Sequence, residues 1–580
     1  MQTPVSPALA PPARRWVLPD APDAAAVERL SRELRLPVPF CRLLVQRDYG
    51  ATEVAKGFLR PHAAQIHSPG LLAGVGDAVE RLRRAIERGE TILVHGDYDV
   101  DGICSTALYV RALRLMGGRA EPFVPHRLTD GYDLSDAGIR AAAEAGARLI
   151  LTGDCGIVAH EAVERARARG IDVVVTDHHT PGPTLPAAVA VVNPNRSDCP
   201  YPNKSLAGVG VAYKVCCALA GALAFPAEQL TRFLDLVAVA TIADLVPLTA
   251  ENRALVRWGL KLLPQTPNPG LRALLESTGQ ANGGEISAGQ VGFVLAPRLN
   301  AVGRMGEAAR GVDLLLTDDP GEAEVIADEL EVENRWRREV DGQTLREAMR
   351  LLEATYDPER DRGVVLAGEG WHPGVIGIVA SRLVERIYRP TVLIALGEEE
   401  GKGSARSIPG FHLYEAMRDC SEHLVRFGGH RGAAGCSILP ERVEGFREAF
   451  NARARASLSD DLLMPEIRID MELSLPEADM EMCRLLKHAA PFGMGNPTPV
   501  FMARGVEVAG YPRVVGSNHL KLALSGGGAR LDAIGFGMAD RIGDVNPALG
   551  ALDVAFKLEE NVWNGRTSVQ ARLVDLRPSL

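Results

Sequence analysis

The feature that most constrains this chain is His95-Gly96-Asp97-Tyr98-Asp99-Val100-Asp101-Gly102, directly after the apolar run Thr91-Ile92-Leu93-Val94. The apolar run predicts a buried strand. While the backbone stays extended, alternate side chains share a face, so Asp97, Asp99 and Asp101 are expected to point the same way. That much negative charge in one small volume needs a cation, and the rest of the chain has to build a pocket around it.

From Asp77 the pattern is regular. It predicts helix 77–88, strand 91–94, helix 104–116, strand 121–125, helix 135–145, strand 148–151, helix 160–169 and strand 171–175. Apolar strands alternating with helices argue for a parallel sheet covered on both faces, with ligands off the carboxyl ends of the strands. Asp154 in Thr152-Gly153-Asp154-Cys155-Gly156 and the run Asp177-His178-His179 both follow predicted strands. Leu234–Asp244 is an apolar helix or strand ending in a carboxylate, which makes Asp244 a fourth contributor.

Residues 250–285 are expected to be a Pro-rich mixed connection, and the charged pattern 322–355 a long linking helix whose most basic cluster is Asn334-Arg335-Trp336-Arg337-Arg338. A second α/β block follows, with strands 363–367 and 391–395 around helix 380–387. After Met464 short alternating strands with frequent Gly suit a small β-barrel. Residues 1 to about 70 carry no polar constellation and are expected to be a packing segment or extension.

At 580 residues one core cannot serve the chain, and about three to five domains are expected. A net charge of −10 excludes a chain coated in basic residues but not a local basic groove, so nucleic acid stays open as a partner. Nine cysteines include no C-x2-C pair, so neither a zinc site nor a disulfide framework is indicated, and a reducing cytoplasm is the expected compartment. No apolar signal core follows Arg14-Arg15. The longest apolar stretch, 206–225, carries Lys214 near its centre, at a cost of roughly 2.5–3.5 kcal/mol in a bilayer. A buried Ala-rich helix is expected there, and no membrane.

Asp97-x-Asp99-x-Asp101-Gly102 begins like a calcium loop, but its twelfth position is Leu108 where a bidentate Glu is required. Carboxylates with imidazole suit Mn²⁺, then Mg²⁺, better than zinc or calcium. Two such ions would hold an attacking water and a phosphoryl oxygen in line, so phosphodiester or phosphoanhydride hydrolysis is the reaction class that fits. His95 is expected to be packed rather than a ligand, and Asp177 to orient an imidazole at least as readily as to ligate. In the second block, glycines Gly374 and Gly377 before a helix, with His372, Ser404, Arg406, Ser407 and Gly429-His430, could converge on an anion.

The runs HGDYDVDG, TGDCG, TDHH and ATIADLVPL, in that order, resemble the four motifs of the DHH phosphoesterase superfamily. PRLNAVGR, GWHPGVIGIVASRL, GKGSARS and FGGHRGAAG resemble its linker and DHHA1 domain, and PFGMGNPTPVF the start of an OB-type domain. The resemblance covers about residues 75–580. It implies an α/β protein in which a parallel-sheet DHH domain and a second α/β DHHA1 domain are joined by a long helix, with a C-terminal OB-like β-barrel. The expected limits are an N-terminal extension 1–74, DHH 75–250, linker 251–358, DHHA1 359–460 and OB-like 465–580.

The implied activity is metal-dependent 5′→3′ hydrolysis of single-stranded DNA to 5′-mononucleotides, in recombination and repair. The resemblance further implies that Asp97, Asp99, Asp101, Asp154, His178 and Asp244 hold two Mn²⁺ or Mg²⁺ ions, with Asp154 bridging, and that His179 contacts the scissile phosphate. Arg127, Asn300 and Arg304 would contact the DNA backbone, and His372, Ser404, Arg406 and His430 would hold the strand or its 5′-phosphate. A helicase and a single-strand-binding protein are the implied partners, and a monomer the implied state. Two departures stand out: Val100 where the family usually has Ala, and Asp133 where Gly is usual after Gly-Tyr. The alternatives are a phosphodiesterase of short oligonucleotides or cyclic dinucleotides, which would lack an OB-type module, and a non-catalytic DNA-binding replication subunit, which would lack metal ligands.

Overall fold

The strand Thr91–Gly96 lies inside a five-stranded, all-parallel sheet and is buried along nearly its whole length. This is seen in a computed structural model that describes residues 12–127, 129–131, 133–281, 283–563 and 565–579. Across the sheet the order is Arg119–Phe123, Thr91–Gly96, Leu149–Gly153, Asp172–Thr176, Ala190–Val192. In chain order that is 2-1-3-4-5, so the direction of winding reverses between the first and third strands. A crevice opens at such a switch point, at the carboxyl ends of the two strands. Asp97 and Asp154 follow those two strands.

The chain divides into two compact units. The larger, Leu18–Gly303 with Glu307–Glu331 and Arg468–Leu580, contains this sheet and, separately, the C-terminal strands. The smaller is built mainly from Val332–Ile467 with Arg304–Gly306. In the larger unit, helices Val100–Leu115 and Gly208–Ala222 bury apolar faces against the parallel sheet, Leu234–Ala243 packs on those two helices, and Ala250–Leu262 packs on Leu234–Ala243 in the same core. Each fully buried aliphatic side chain there contributes about 1.5–3 kcal/mol. The C-terminal strands pair in the order Met471–Glu472, Phe501–Val508, Leu552–Trp563, Arg566–Pro578, Ala529–Gly535, His519–Gly526, Arg513–Val515, and His519–Gly526 also pairs with Phe501–Val508. Helices Ala24–Leu34, Val38–Gln46 and Thr52–Leu59 share a core with these strands. The buried Arg253 guanidinium ties the two together, donating to the carbonyls of Phe58 (2.9 Å) and Ala490 (2.8 Å).

The smaller unit is a mixed five-stranded sheet in the order Leu424–Gly429, Ala433–Ile438, Gly401–Arg406, Thr391–Leu396, Val364–Glu369, with Ile376–Ile387 packed on it. The charged helix runs from Pro320 to Thr355, 36 residues or about 54 Å. Among the described residues no helix is long and apolar enough to cross a membrane.

Two expectations are corrected. The DxDxD run is not extended: the strand ends at Gly96 and a helix starts at Val100, with Asp99 at its N-cap accepting from the Asp101 and Gly102 N–H groups. N-capping by Asp wins over strand continuation here because Gly102 lets the first turn fold back onto Asp97, whose backbone a Cβ would strike. Residues 250–285 are not a mere connection, since Ala250–Leu262 and Pro269–Ser277 are helices with buried faces.

Lys214, on the predicted Ala-rich helix, is buried, with its Nζ 2.5 Å from Glu251 and bonded to the His67 carbonyl. Glu251 also accepts from Tyr201 Oη (2.7 Å) and the His67 N–H (2.9 Å). Removing one partner of a buried pair strands the other. Glu251→Ala should therefore cost about 3–5 kcal/mol in chemical denaturation, and the double change Lys214→Met with Glu251→Leu should recover most of it.

Candidate active site

The six carboxylate and imidazole groups expected at the metal site, and His179 expected at the scissile phosphate, come together. The ligand atoms of Asp97, Asp99 and Asp154 lie within 4.8 Å of one another, as do those of Asp101, His178 and Asp244, and those of Asp154, His178 and His179. Because Asp154 and His178 each belong to two sets, the three sets form one cluster. His178 Nε2 stands 3.1 Å from Asp154 Oδ1 and 3.6 Å from Asp244 Oδ2.

Each side chain is placed by its own element. Asp97 follows the first strand and Asp101 sits in the first turn of Val100–Leu115. Asp154 ends the strand Leu149–Gly153 with φ +68°, a left-handed conformation that costs a non-Gly residue about 1–3 kcal/mol. Asp244 is the C-cap of the buried helix Leu234–Ala243, so its contribution comes from a helix end rather than a strand end. Asp101 accepts from the Gly208 and Val209 N–H groups (2.7 and 2.8 Å) at the start of Gly208–Ala222. Asp177 accepts from the Ile157, His178 and His179 N–H groups and from His179 Nδ1 at 2.7 Å, so it orients rather than joins the cluster.

Asp97 Oδ1, Asp154 Oδ1 and His178 Nε2 are buried without a hydrogen-bond partner. Buried acceptors in that state cost about 1–3 kcal/mol each, more where charged. Burial holds the His178 ring below its ordinary pKa, and a neutral imidazole keeps one ring nitrogen as a lone pair. Hard carboxylate oxygens with one imidazole form a donor set that fits Mn²⁺ or Mg²⁺.

The electrostatics agree with that fit. Burial first, then the charge of Asp99, lifts Asp101 to about 7, and burial with Asp101 lifts Asp244 to about 8. Asp97 and Asp154 are pushed well up for the same reasons. His178 falls to about 4 through burial and its neighbour His179. Burial opposes charge on His179 as well, but the Asp177 hydrogen bond and charge prevail and raise it to about 9. The cluster thus presents neutral His178 beside cationic His179. His95 is buried, packs on Phe123 with centroids 5.0 Å apart, and drops to about 4 through burial.

Arg127 lies over the Tyr98 ring, 4.9 Å from its centroid, and its charge acts on Asp97. Asn300 Oδ1 accepts the Val100 N–H at 3.2 Å, bracing the start of the ligand-bearing helix. Asp133 has φ +80°, a conformation glycine adopts freely, and its carboxylate accepts from the Leu134 N–H. In the smaller unit, Arg304 donates to the Gly374 carbonyl (3.1 Å), and His372 Nδ1 accepts the Gly374 N–H (3.0 Å). Arg406 donates to Ser404 Oγ, and both face the bare Cα of Gly377, where a Cβ would sit 2.8 Å from each. His430 is exposed in the turn that follows Leu424–Gly429, a turn tied to Ser407 through the Gly432 carbonyl.

Sequence reasoning missed the parts that hold the main chain of the two histidines. Asn195 Nδ2 donates to the His178 carbonyl (2.6 Å) and Asn193 Nδ2 to that of His179 (2.9 Å). The signal was present: Asn193-Pro194-Asn195 follows the strand Ala190–Val192, another carboxyl end of the same sheet. The Gly208–Val209 amides left no comparable signal, because every residue but proline carries an N–H.

Family models match in the same order as these elements: "DHH family, N-terminal domain" over 91–241, "DHHA1 domain" over 361–456 and "RecJ OB domain" over 469–575. Fold and cluster together define a protein of the DHH class. The single-stranded-DNA-specific exonuclease RecJ of Bacillus subtilis is 37% identical over 565 residues, covering 97% of this chain and 70% of that protein. The one from Escherichia coli is 41% identical over 532 residues, 87% of this chain and 91% of that protein. A crystal structure of Thermus thermophilus RecJ in complex with Mn²⁺ superposes with a TM-score of 0.84 at 34% identity, over 98% of this chain and 80% of that one. The chain belongs to the RecJ family.

Protons and a dication compete for the raised carboxylates. With folded values near 7 and 8 against an ordinary 3.8, Asp101 and Asp244 favour the metal-free fold most below pH 3.8, and that contribution is lost progressively from there until pH passes 7 to 8. The rise in Tm produced by Mn²⁺ should accordingly be larger at pH 8 than at pH 6. A rise that is the same at both would contradict the arrangement.

Proposed function

We propose that this chain hydrolyses single-stranded DNA from its 5′ end to 5′-mononucleotides, using Mn²⁺ or Mg²⁺ at two adjacent positions. The observation that carries this reading is the focus of three buried, unsatisfied acceptors, Asp97 Oδ1, Asp154 Oδ1 and His178 Nε2, at a sheet switch point. Family membership supports it, since the relatives are single-stranded-DNA-specific exonucleases and solved relatives hold Mn²⁺ or Mg²⁺.

In this reading Asp97, Asp99 and Asp154 serve one position and Asp101, His178 and Asp244 the other, with Asp154 between them. Such a pair supplies the Lewis-acid and water-activating chemistry of phosphodiester hydrolysis. His179, held cationic by Asp177, places a positive N–H at the scissile phosphate. Its side chain is 44% exposed, so substrate can reach it. Arg127 adds a second cation beside Asp97, and Asn300 keeps the ligand-bearing helix in register. Arg304, His372, Ser404, Arg406 and His430 hold the strand or its 5′-phosphate, with the N–H groups that open Ile376–Ile387 as further donors. The C-terminal module at 465–580 tracks the strand through stacking and charge. A helicase that opens duplex and a single-strand-binding protein fit as partners, and a cytoplasmic monomer as the working state.

The test is a 5′-phosphorylated single strand labelled at its 3′ end, compared with a duplex and a dinucleotide in Mn²⁺. Mononucleotide release from the single strand is expected, and preference for the dinucleotide would overturn the reading. Asp154→Ala and His178→Ala should each lower kcat by at least about 100-fold, and Asp177→Asn by about 10–100-fold through the lost orientation of His179.

A further inference from the structure

We propose that Trp336 is a stacking platform for one nucleobase of the bound strand, next to the phosphate site of the smaller unit. The inference rests on the nuclease reading above and deepens it. Trp336 lies on the helix Pro320–Thr355 and is 44% exposed, between Arg335 and the pair Arg337-Arg338. Trp371, in the same unit, shows what a structural tryptophan looks like here: it is 5% exposed and its indole N–H donates to Glu347 at 3.0 Å. Leaving Trp336 in water forgoes the burial that its partner enjoys, so its position asks for an occupant.

Its neighbourhood names the chemistry of that occupant. The Trp336 ring meets His372 edge-on, with centroids 6.2 Å apart and planes at 67°. His372 is fixed by the Gly374 N–H, and the Gly374 carbonyl is in turn held by Arg304. One step further, the helix Ile376–Ile387 begins, and Gly377 opens onto Ser404 and Arg406. An aromatic ring thus adjoins a row of anion donors, and the helix that bears it is basic at that point. A phosphate with a flat π-face attached is a nucleotide, and stacking on an aromatic accepts any base. A peptide or a free phosphate would use only one half of this surface.

The test pairs binding with turnover. The protein contains five tryptophans, so the fluorescence quenched by a single strand in EDTA is compared between wild type and Trp336→Phe; loss of most of the quench is expected in the variant. In Mn²⁺, Trp336→Ala should lower kcat/KM on a 5′-phosphorylated single strand by about tenfold, mainly through KM, and Trp336→Phe by less than about threefold. With the wild-type protein, a strand with one abasic residue, stepped through the first positions from the 5′ end, should reproduce the Trp336→Ala loss at a single position. At that position Trp336→Ala should show no further loss. Equal quenching in wild type and Trp336→Phe, or an abasic penalty of the same size in wild type and both variants at every position, would overturn the proposal. If wild type quenches through Trp336 but hydrolyses nothing, the nuclease reading fails and the platform stands; if wild type hydrolyses and the variants match it, only the platform fails.

Discussion

Several carboxylates held out of water around one point repel one another and lose their hydration, and taking a single charge out of water already costs several kcal/mol. Much of the larger unit is built to bear that cost. Asp101 takes two backbone N–H groups from the start of Gly208–Ala222, Asp99 caps the helix that carries Asp101, and Asp177 takes four donors while holding His179. Asp154 is kept in a left-handed conformation. What these devices leave uncompensated, at Asp97, Asp154 and His178, lies in one cluster, where a dication would restore the balance.

The same fold separates two kinds of recognition. The parallel sheet gathers anionic and imidazole groups at its switch point, where the chemistry is one of cations and water. The mixed sheet of the smaller unit gathers Arg304, Arg406, Ser404 and His372 around glycines that bring the backbone close, the set of groups to which the proposed function assigns the anionic strand.

Much of the site was legible because strand ends are legible. A buried strand must shed its apolar pattern where it leaves the sheet, so Asp97, Asp154 and His178 announced themselves after Thr91–Gly96, Leu149–Gly153 and Asp172–Thr176. Period-two reasoning failed at Asp99 and Asp101, because a local cap and a glycine contact turned the chain into a helix at Val100. Asp244 was found as a carboxylate closing an apolar run, yet whether that run was helix or strand was undetermined, since uniform burial erases periodicity. The helices at 250–277 were hidden by prolines that here sit at helix starts and turns.

By itself the sequence determined the chemical inventory: which acids and imidazoles follow which strands, their order, and the glycine-rich segments of the second block. It could do so because these depend on residue type and on neighbours a few positions away. Only the tertiary structure decided that Asp97 and Asp154 share a crevice, that the amides of Gly208 and Val209 hold Asp101, and that Asn193 and Asn195 hold the main-chain carbonyls of His179 and His178. Those depend on strand order and on backbone groups that every residue possesses, so they become visible only once the chain is folded.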